Sequence, residues 1–396
     1  MRSHWEQIKL ADLFELQMGK TPAREKEQYW KNGTRKWVSI ADISKFSRYT
    51  ENTKESITDQ AVSETGIRQV PANTIIMSFK LSLGKVAITS EPLYTNEAIM
   101  AFVDRKERPL SLSFLFHLFK NKDWSAGTNK AVLGMTLNKA TLKEISIPVP
   151  PLSEQEDIAE KLDAVSRLIT LREQQLQKLD QLASSRFIEM FGDPVANPKG
   201  WSIKKIKEVV AKQKNALKAG PFGSALKKEF YTPSGYKIYG QEQVINGDAE
   251  FGDYYISQEK YAELKSCAIQ AKDVLISLVG TYGKTLVIPD EFEPGIINPR
   301  LIKITFDQSV INVSYFQAYF SSESLKAYLD VQTHGCTMGV LNLGIISNLL
   351  IPLPPLSLQN EFAAFIEQLD KSKVTIRKSI EKLEITYRAL LQEYFG

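Results

Sequence analysis

The chain writes one long passage twice, and any fold proposed for it must accommodate that. Ile147 to Gly192 reads IPVPPLSEQEDIAEKLDAVSRLITLREQQLQKLDQLASSRFIEMFG, and Ile351 to Gly396 reads IPLPPLSLQNEFAAFIEQLDKSKVTIRKSIEKLEITYRALLQEYFG. The two align over 46 residues without a gap, at an offset of 204 and with 13 identities. Self-similarity on this scale means two copies of one structural unit. Each copy opens on Pro-Pro-Leu-Ser, which closes the preceding segment and starts a helix. Ser153 is expected to be the N-cap, with Glu156 completing a capping box; Ser357 repeats the cap, with Asn360 where the first copy has Glu.

Beyond the cap, apolar residues recur at alternating steps of four and three. In the first copy they are Ile158, Leu162, Val165, Ile169, Leu176 and Leu179. In the second they are Phe362, Ile366, Leu369, Ile376, Ile380, Leu383 and Tyr387. This spacing predicts a coiled-coil seam, interrupted near mid-helix by Arg172 and Lys373, where polar residues fix register at some cost in stability. One heptad helix alone reads as a generic oligomerisation stalk. Two matched helices, each behind a globular segment, read instead as a pair that holds two modules at a set distance. The long segment between them lets the chain return, so the pairing is expected to be antiparallel.

The globular segments repeat as well. Trp5-Glu-Gln-Ile-Lys-Leu is answered by Trp201-Ser-Ile-Lys-Lys-Ile, Asn96 by Asn298, and Leu137-Asn138 by Leu341-Asn342. Within the first, Trp5 to Phe14 reads as a strand and short helix, Trp37 to Ile40 and Thr74 to Phe79 as strands, and Leu83 to Ile88 as a neighbouring strand. Leu112 to Lys120 reads as a short apolar helix, and 127–138 as an irregular polar loop. The expected class is α+β: two tandem units of small mixed sheets with short helices, each followed by a long helix. The expected boundaries are 1–152, a helix over 153–192, a linker over 193–200, a second unit over 201–356 and a helix over 357–396. At this length each unit can hold its own core.

Catalytic signatures are scarce. Gly283-Lys284-Thr285 resembles the end of a phosphate-binding loop, but Leu278 stands where that motif needs glycine. Pro150-Pro151 and Pro354-Pro355 are followed by Leu and Asn298-Pro299 by Arg300, so the adenine-methyltransferase signature is missing. His4, His117 and His334 lie far apart with no ligand partner at metal-binding spacing, and read as solvated or packed side chains. Cys267 and Cys336 have no paired spacing and suit a reducing cytosol. The N-terminus MRSHWEQIKL lacks an apolar signal core, and no run approaches the roughly 18 apolar residues that span a bilayer. The expectation is a cytoplasmic protein with no membrane contact.

Binding signals are stronger. A net charge of +4 permits a polyanionic partner without demanding one. First-unit loops carry Lys20, Thr21, Arg35, Arg48, Lys80, Lys85, Asn129 and Lys130, with Trp37 and Asn96 beside them. Second-unit loops carry Lys218, Phe222, Ser224, Lys227 and Lys284, with Tyr239, Gln241, Tyr282, Asn298, Arg300, Thr333 and His334 near them. Lys and Arg neutralise phosphates, while Asn, Gln and Arg read base edges by paired hydrogen bonds. Each residue taken singly suits a solvated surface or a turn. As a set on duplicated loops that differ in sequence, they suit nucleic-acid contact.

The paired Ile-Pro-x-Pro-Pro-Leu-Ser-x-Gln starts at 147 and 351, Gly-Lys-Thr-Pro at 19–22, Gly-Pro-Phe-Gly-Ser at 220–224 and the Gly-Lys pairs at 84–85 and 283–284 resemble the specificity subunit of type I restriction–modification systems, over essentially the whole chain. The resemblance implies two target-recognition domains, each reading one half of a bipartite, asymmetric site in double-stranded DNA. It implies an antiparallel helix pair that sets the gap and docks two modification subunits, with two restriction subunits joining them. It implies no cofactor on this chain, with S-adenosylmethionine, ATP and Mg on the partners. Two other classes compete. A self-contained DNA methyltransferase or nuclease is disfavoured by the missing motifs, and a coiled-coil scaffold with protein-binding ends by the paired recognition-like loops.

Overall fold

The computed structural model describes residues 5–80, 82–125, 129–131, 134–278, 283–333 and 341–396; the side chains at 129–131, 134–136 and 333 lie outside that description. The chain forms two compact units, Met1–Glu173 with Lys378–Gly396, and Gln174–Arg377. Each contains one globular segment together with parts of both long helices.

The first unit is built around a four-stranded antiparallel sheet in the order Phe14–Met18, Ile99–Asp104, Ile75–Ser78, Val86–Ile88. Its strand Ile75–Ser78 is buried at every position, as expected for a sheet covered on both faces. Alternate residues enter different cores. Ile75 and Met77 join the core with the helix Leu112–Asn121 and the long helices, and Ile76 joins the one with Val38 and Ile99. A smaller sheet in the order Glu55–Ile57, Arg35–Val38, Tyr94–Thr95 lies on the second side, its outer two contacts antiparallel and parallel respectively. Strands Glu6–Lys9 and Ser146–Val149 pair antiparallel and bring the start of the segment to the foot of the first long helix. The stretch expected as an irregular loop contains a hairpin of Asn129–Ala131 and Gly134–Thr136.

The second unit repeats this plan. One four-stranded sheet runs Leu217–Ala219, Leu301–Ile304, Val274–Ser277, Thr285–Val287; a second, Tyr231–Thr232, Tyr255–Ile256, Tyr236–Tyr239, Gly295–Ile297, stands where the first unit has three strands, and Ser202–Lys205 pairs with Leu350–Leu353. Val274 and Ile276 enter the core with the long helices, Leu275 the one with Tyr239 and Ile296.

Both long helices have 40 residues, Leu152–Phe191 and Leu356–Phe395. Each begins one residue earlier than expected, so Ser153 and Ser357 are not the N-caps. Pro151 and Pro355 hold that place, their carbonyls accepting the N–H groups of Glu154 and Gln155, and of Leu358 and Gln359. The anchoring work falls to the glutamine of the repeated motif. Gln155, 1% exposed, accepts the Ser111 N–H on Oε1 (2.8 Å) and donates from Nε2 to Pro150 O (2.8 Å). Gln359, 0% exposed, does the same with Asn312 N–H (2.8 Å) and Pro354 O (2.8 Å).

The helices pack antiparallel. In the second unit Phe187 lies 5.7 Å from Phe362 between ring centroids, and Arg186 pairs with Glu361. Ile158, Leu162, Phe362, Leu369 and Ile376 are buried; Val165, Ile169, Leu176, Leu179, Ile366, Ile380, Leu383 and Tyr387 are half-buried. Lys373, the polar residue expected to set register, reaches Asp180 of the opposite helix (2.8 Å).

Candidate nucleic-acid interface

One end of the sheet that Phe14–Met18 edges in the first unit, and Leu217–Ala219 in the second, gathers the same backbone turns. In the first unit the strand Phe14–Met18 runs into Gly19, whose N–H bonds Ile99 O; in the second, Gly220 N–H bonds Leu301 O. These glycines are required by close approach, since a Cβ on Gly220 would sit 1.8 Å from Asn298 O and one on Gly19 2.3 Å from Asn96 O. Asn96 and Asn298 form matching turns, Oδ1 accepting the N–H of Ala98 (3.0 Å) and of Arg300 (2.9 Å). Gly84 and Gly283 both stand at φ +81, donate to Ser78 O and Ser277 O, and present Lys85 and Lys284 exposed beyond. The Gly-Lys pairs are therefore left-handed turns at strand ends, in line with rejecting a phosphate loop at 283–285.

On this common frame the side chains differ. In the first unit Thr21 Oγ1 donates to Glu97, and Lys20 Nζ donates to Thr65 O (2.6 Å). Lys80 is half-buried with its ammonium 5.2 Å from the Phe79 ring centroid. In the second, Gln241 donates from Nε2 to Ser277 Oγ (2.8 Å) and accepts from Arg300 Nη1 (3.3 Å). Phe222 is 85% exposed, Ser224 is exposed, and Lys218 is half-buried one residue inside the strand. The frame thus brings together Lys20, Thr21, Lys80, Lys85 and Asn96 in one unit. In the other it assembles Lys218, Phe222, Ser224, Gln241, Lys284, Asn298 and Arg300. The Asn96 and Asn298 carbonyl oxygens are committed to their own turns, which leaves their amide NH2 groups as the donors.

Several candidates lie elsewhere. Trp37 is 1% exposed and Tyr239 0%, so neither can reach a base. Their polar atoms brace the frame, Trp37 Nε1 donating to Lys20 O (3.1 Å) and Tyr239 Oη to Glu293 O (2.8 Å). Burial, foremost, pushes the Tyr239 hydroxyl far above its ordinary range. Arg35 pairs with Asp59 at the far end of its strand (2.7 Å), and Lys227 with Glu229 (3.5 Å). Tyr282 and His334 lie outside the described residues, as do the side chains of Asn129, Lys130 and Thr333.

Arg48 faces the helices rather than the loop end. Its carbonyl accepts from Ile88, at the opposite end of the strand from Lys85. Its guanidinium spans Asp163 of the first long helix, Nη1 to Oδ1 at 2.5 Å and Nη2 to Oδ2 at 3.3 Å. Ser113 Oγ (2.6 Å) and His117 Nε2 (2.6 Å) meet the same carboxylate, and His117 Nδ1 lies 2.9 Å from Tyr387 Oη of the second long helix. Burial pushes His117 below its ordinary value, against the raising effect of Asp163. Burial raises the Asp163 carboxyl, but the hydrogen bonds from Arg48, Ser113 and His117 outweigh it and hold it low. This clamp was not readable in the sequence, because its hydrogen-bonded partners are 46 to 270 residues apart. His117 is accordingly a packed histidine, and among the described residues no group of three or more His, Cys, Asp or Glu could hold a metal.

Two copies of a sheet-end frame, dressed with different polar, cationic and aromatic groups and joined to a helix pair, define a duplicated recognition module. The family model for the type I restriction modification DNA specificity domain matches residues 2–181 and 198–386, and the chain belongs to that family. It is 25% identical over 410 residues to the type I restriction enzyme MjaIX specificity subunit of Methanocaldococcus jannaschii, covering 98% of this chain and 91% of that one. The fold is similar to the S subunit of a type I restriction–modification system from M. genitalium (TM-score 0.55, 16% identity, 99% and 96% of the two chains). It is also similar to a chain from a structural study of complex assembly and conformational transition of the type I R-M system (TM-score 0.59, 18% identity, 100% and 98%).

Proposed function

We propose that this chain is the DNA-recognition subunit of a type I restriction–modification complex, each unit reading one half of a bipartite, asymmetric site. The observation that carries the proposal is the pair of equivalent sheet-end frames. Gly19, Asn96 and Lys85 in one correspond to Gly220, Asn298 and Lys284 in the other, with unlike side chains mounted on them. A shared scaffold with divergent loops is what two half-sites of different sequence require. The recognition domains are taken as 1–152 and 201–356, the helices as 153–192 and 357–396, and 193–200 as the linker. Lys20, Lys80 and Lys85, with Lys218, Lys284 and Arg300, are assigned to phosphates and base edges, and Gln241 and the Asn96 and Asn298 amides to base edges.

As a specificity subunit the chain recognises and does not catalyse. In this reading the helix pair sets the gap between half-sites and docks two modification subunits, and two restriction subunits complete the complex in the cytoplasm. S-adenosylmethionine, ATP and Mg belong to those partners. Single-molecule methylome sequencing of a host carrying this chain with its modification subunit tests the proposal. A two-part methylated-adenine motif lost on deletion of this chain supports it. No motif, with a modification subunit that methylates under another specificity subunit, refutes it.

A further inference from the structure

The loop after the strand Leu217–Ala219 holds one aromatic ring out in solvent. Phe222 is 85% exposed, while Gly220 and Pro221 before it and Leu226 after it are buried. A single exposed apolar side chain is ordinary on a protein surface. The anchoring of this one is not. Gly220 is pressed against the Asn298 carbonyl and bonded to Leu301 O, and Ala225 N–H closes back on the Phe222 carbonyl at 3.1 Å. Leu226 enters the core beside Tyr239 and Ile296. The loop is pinned on both sides of the exposed ring.

The setting is polar and cationic rather than an apolar patch. Gly220 abuts the Asn298 turn, which continues directly into Arg300 and the Gln241–Ser277 pair. Lys227, Lys228 and Lys284 are exposed on the same unit. A protein partner covering Phe222 would have to bury this polar rim, whereas a nucleic acid meets phosphate with the cations and a π face with the ring. The corresponding position in the first unit is Thr21, half-buried and bonded to Glu97.

We propose that Phe222 is an aromatic wedge that stacks on a base at one step of the half-site read by the second unit, and that the matching position of the first unit, Thr21, supplies no such wedge. This rests on reading the chain as a DNA-recognition subunit. Apolar side chains inserted at a base step unstack it and bend the duplex, so sequence is selected through deformability as well as through hydrogen bonds.

The test uses the full complex with its modification subunit and duplexes carrying the methylome-derived motif, with 2-aminopurine placed at successive positions of both half-sites. The wild-type complex is expected to change the probe's fluorescence at one or two adjacent positions in one half-site only. Phe222→Ala should abolish that change and weaken binding roughly ten- to a hundredfold, the range for losing one base–aromatic stack. Phe222→Trp should restore both, and thermal stability should stay constant because the ring is exposed. Unchanged affinity and an unchanged probe signal in Phe222→Ala would overturn the wedge while leaving DNA recognition intact. Failure of Phe222→Ala to assemble with the modification subunit would overturn it in favour of a protein contact. A wild-type complex that binds no two-part motif would overturn the underlying reading as well.

Discussion

Asp163 and Glu367 occupy the same position of the repeat, 204 residues apart, yet they do different things. Asp163 accepts two hydrogen bonds from Arg48, one from Ser113 and one involving His117. Glu367 pairs, among the described residues, with Lys371 one turn away, the two side chains 67% and 72% exposed. Replacing Asp163 with Ala leaves the Arg48 guanidinium facing the helix without its counter-charge. Removing one partner of a fully buried pair costs about 3–5 kcal/mol. Here the Arg48 and Asp163 side chains are 26% and 34% exposed, so water recovers part of that. A loss on the order of 2 kcal/mol remains after discounting for screening. For a unit of this size that lowers the melting transition by about 4–8 °C. Amide hydrogen exchange of the helix Leu112–Asn121, which carries Ser113 and His117, should accelerate roughly thirtyfold. The equivalent helix Val313–Ser321 of the second unit should be unaffected. Glu367→Ala should change neither helix. Equal behaviour of the two variants would refute the clamp as the element that holds the first globular segment to its helices.

Three further outcomes are expected. His117 has a folded pKa below its ordinary 6.5, so the unfolded chain binds the extra proton first and stability should fall as pH drops below about 6.5. Asp163, also held low, keeps its contribution down to about its ordinary 3.8 and loses it as pH falls from there through its lower folded value. Urea melts at pH 7 and pH 5 of wild type and His117→Phe check this, and an equal pH slope in the two would contradict it. Gln155→Ala and Gln359→Ala each strip a half-buried Ser111 or Asn312 N–H of its acceptor, and should each cost about 1–3 kcal/mol in urea denaturation; a loss near zero would show the motif glutamine to be dispensable. Matched four-residue insertions in both long helices add roughly 6 Å. At about 3.4 Å per base pair they should lengthen the gap in the methylated motif by one or two base pairs; methylome sequencing that returned the original gap would contradict the spacer role.

What was legible in the sequence is what backbone geometry demands locally. Pro150-Pro151 and Pro354-Pro355 end a strand and start a helix because proline cannot continue a ladder but can open a turn of helix. Gly84 and Gly283 recur because their left-handed turn excludes a Cβ, and Asn96 and Asn298 because each closes its own turn. The apolar steps of four and three disclosed the seam because a helix repeats its faces over short distances. Hence the duplication, the α+β class and the paired helices could be read before any coordinates.

Tertiary structure alone sorted the candidate readers, because reach depends on burial and on neighbours distant in sequence. Trp37 and Tyr239 carry the residue types suited to bases, but strand register turned both into the core. Arg48 looked like a phosphate contact until Asp163, 115 residues on, was placed opposite it. Phe222 could have packed inward on composition alone; the close approach of Gly220 to Asn298 and the burial of Leu226 hold it out. Local chemistry therefore determined where the chain turns and which faces pair. Which side chains remain free to meet a ligand was decided only when segments distant in sequence packed together, since that packing assigns each polar group either a partner or open water.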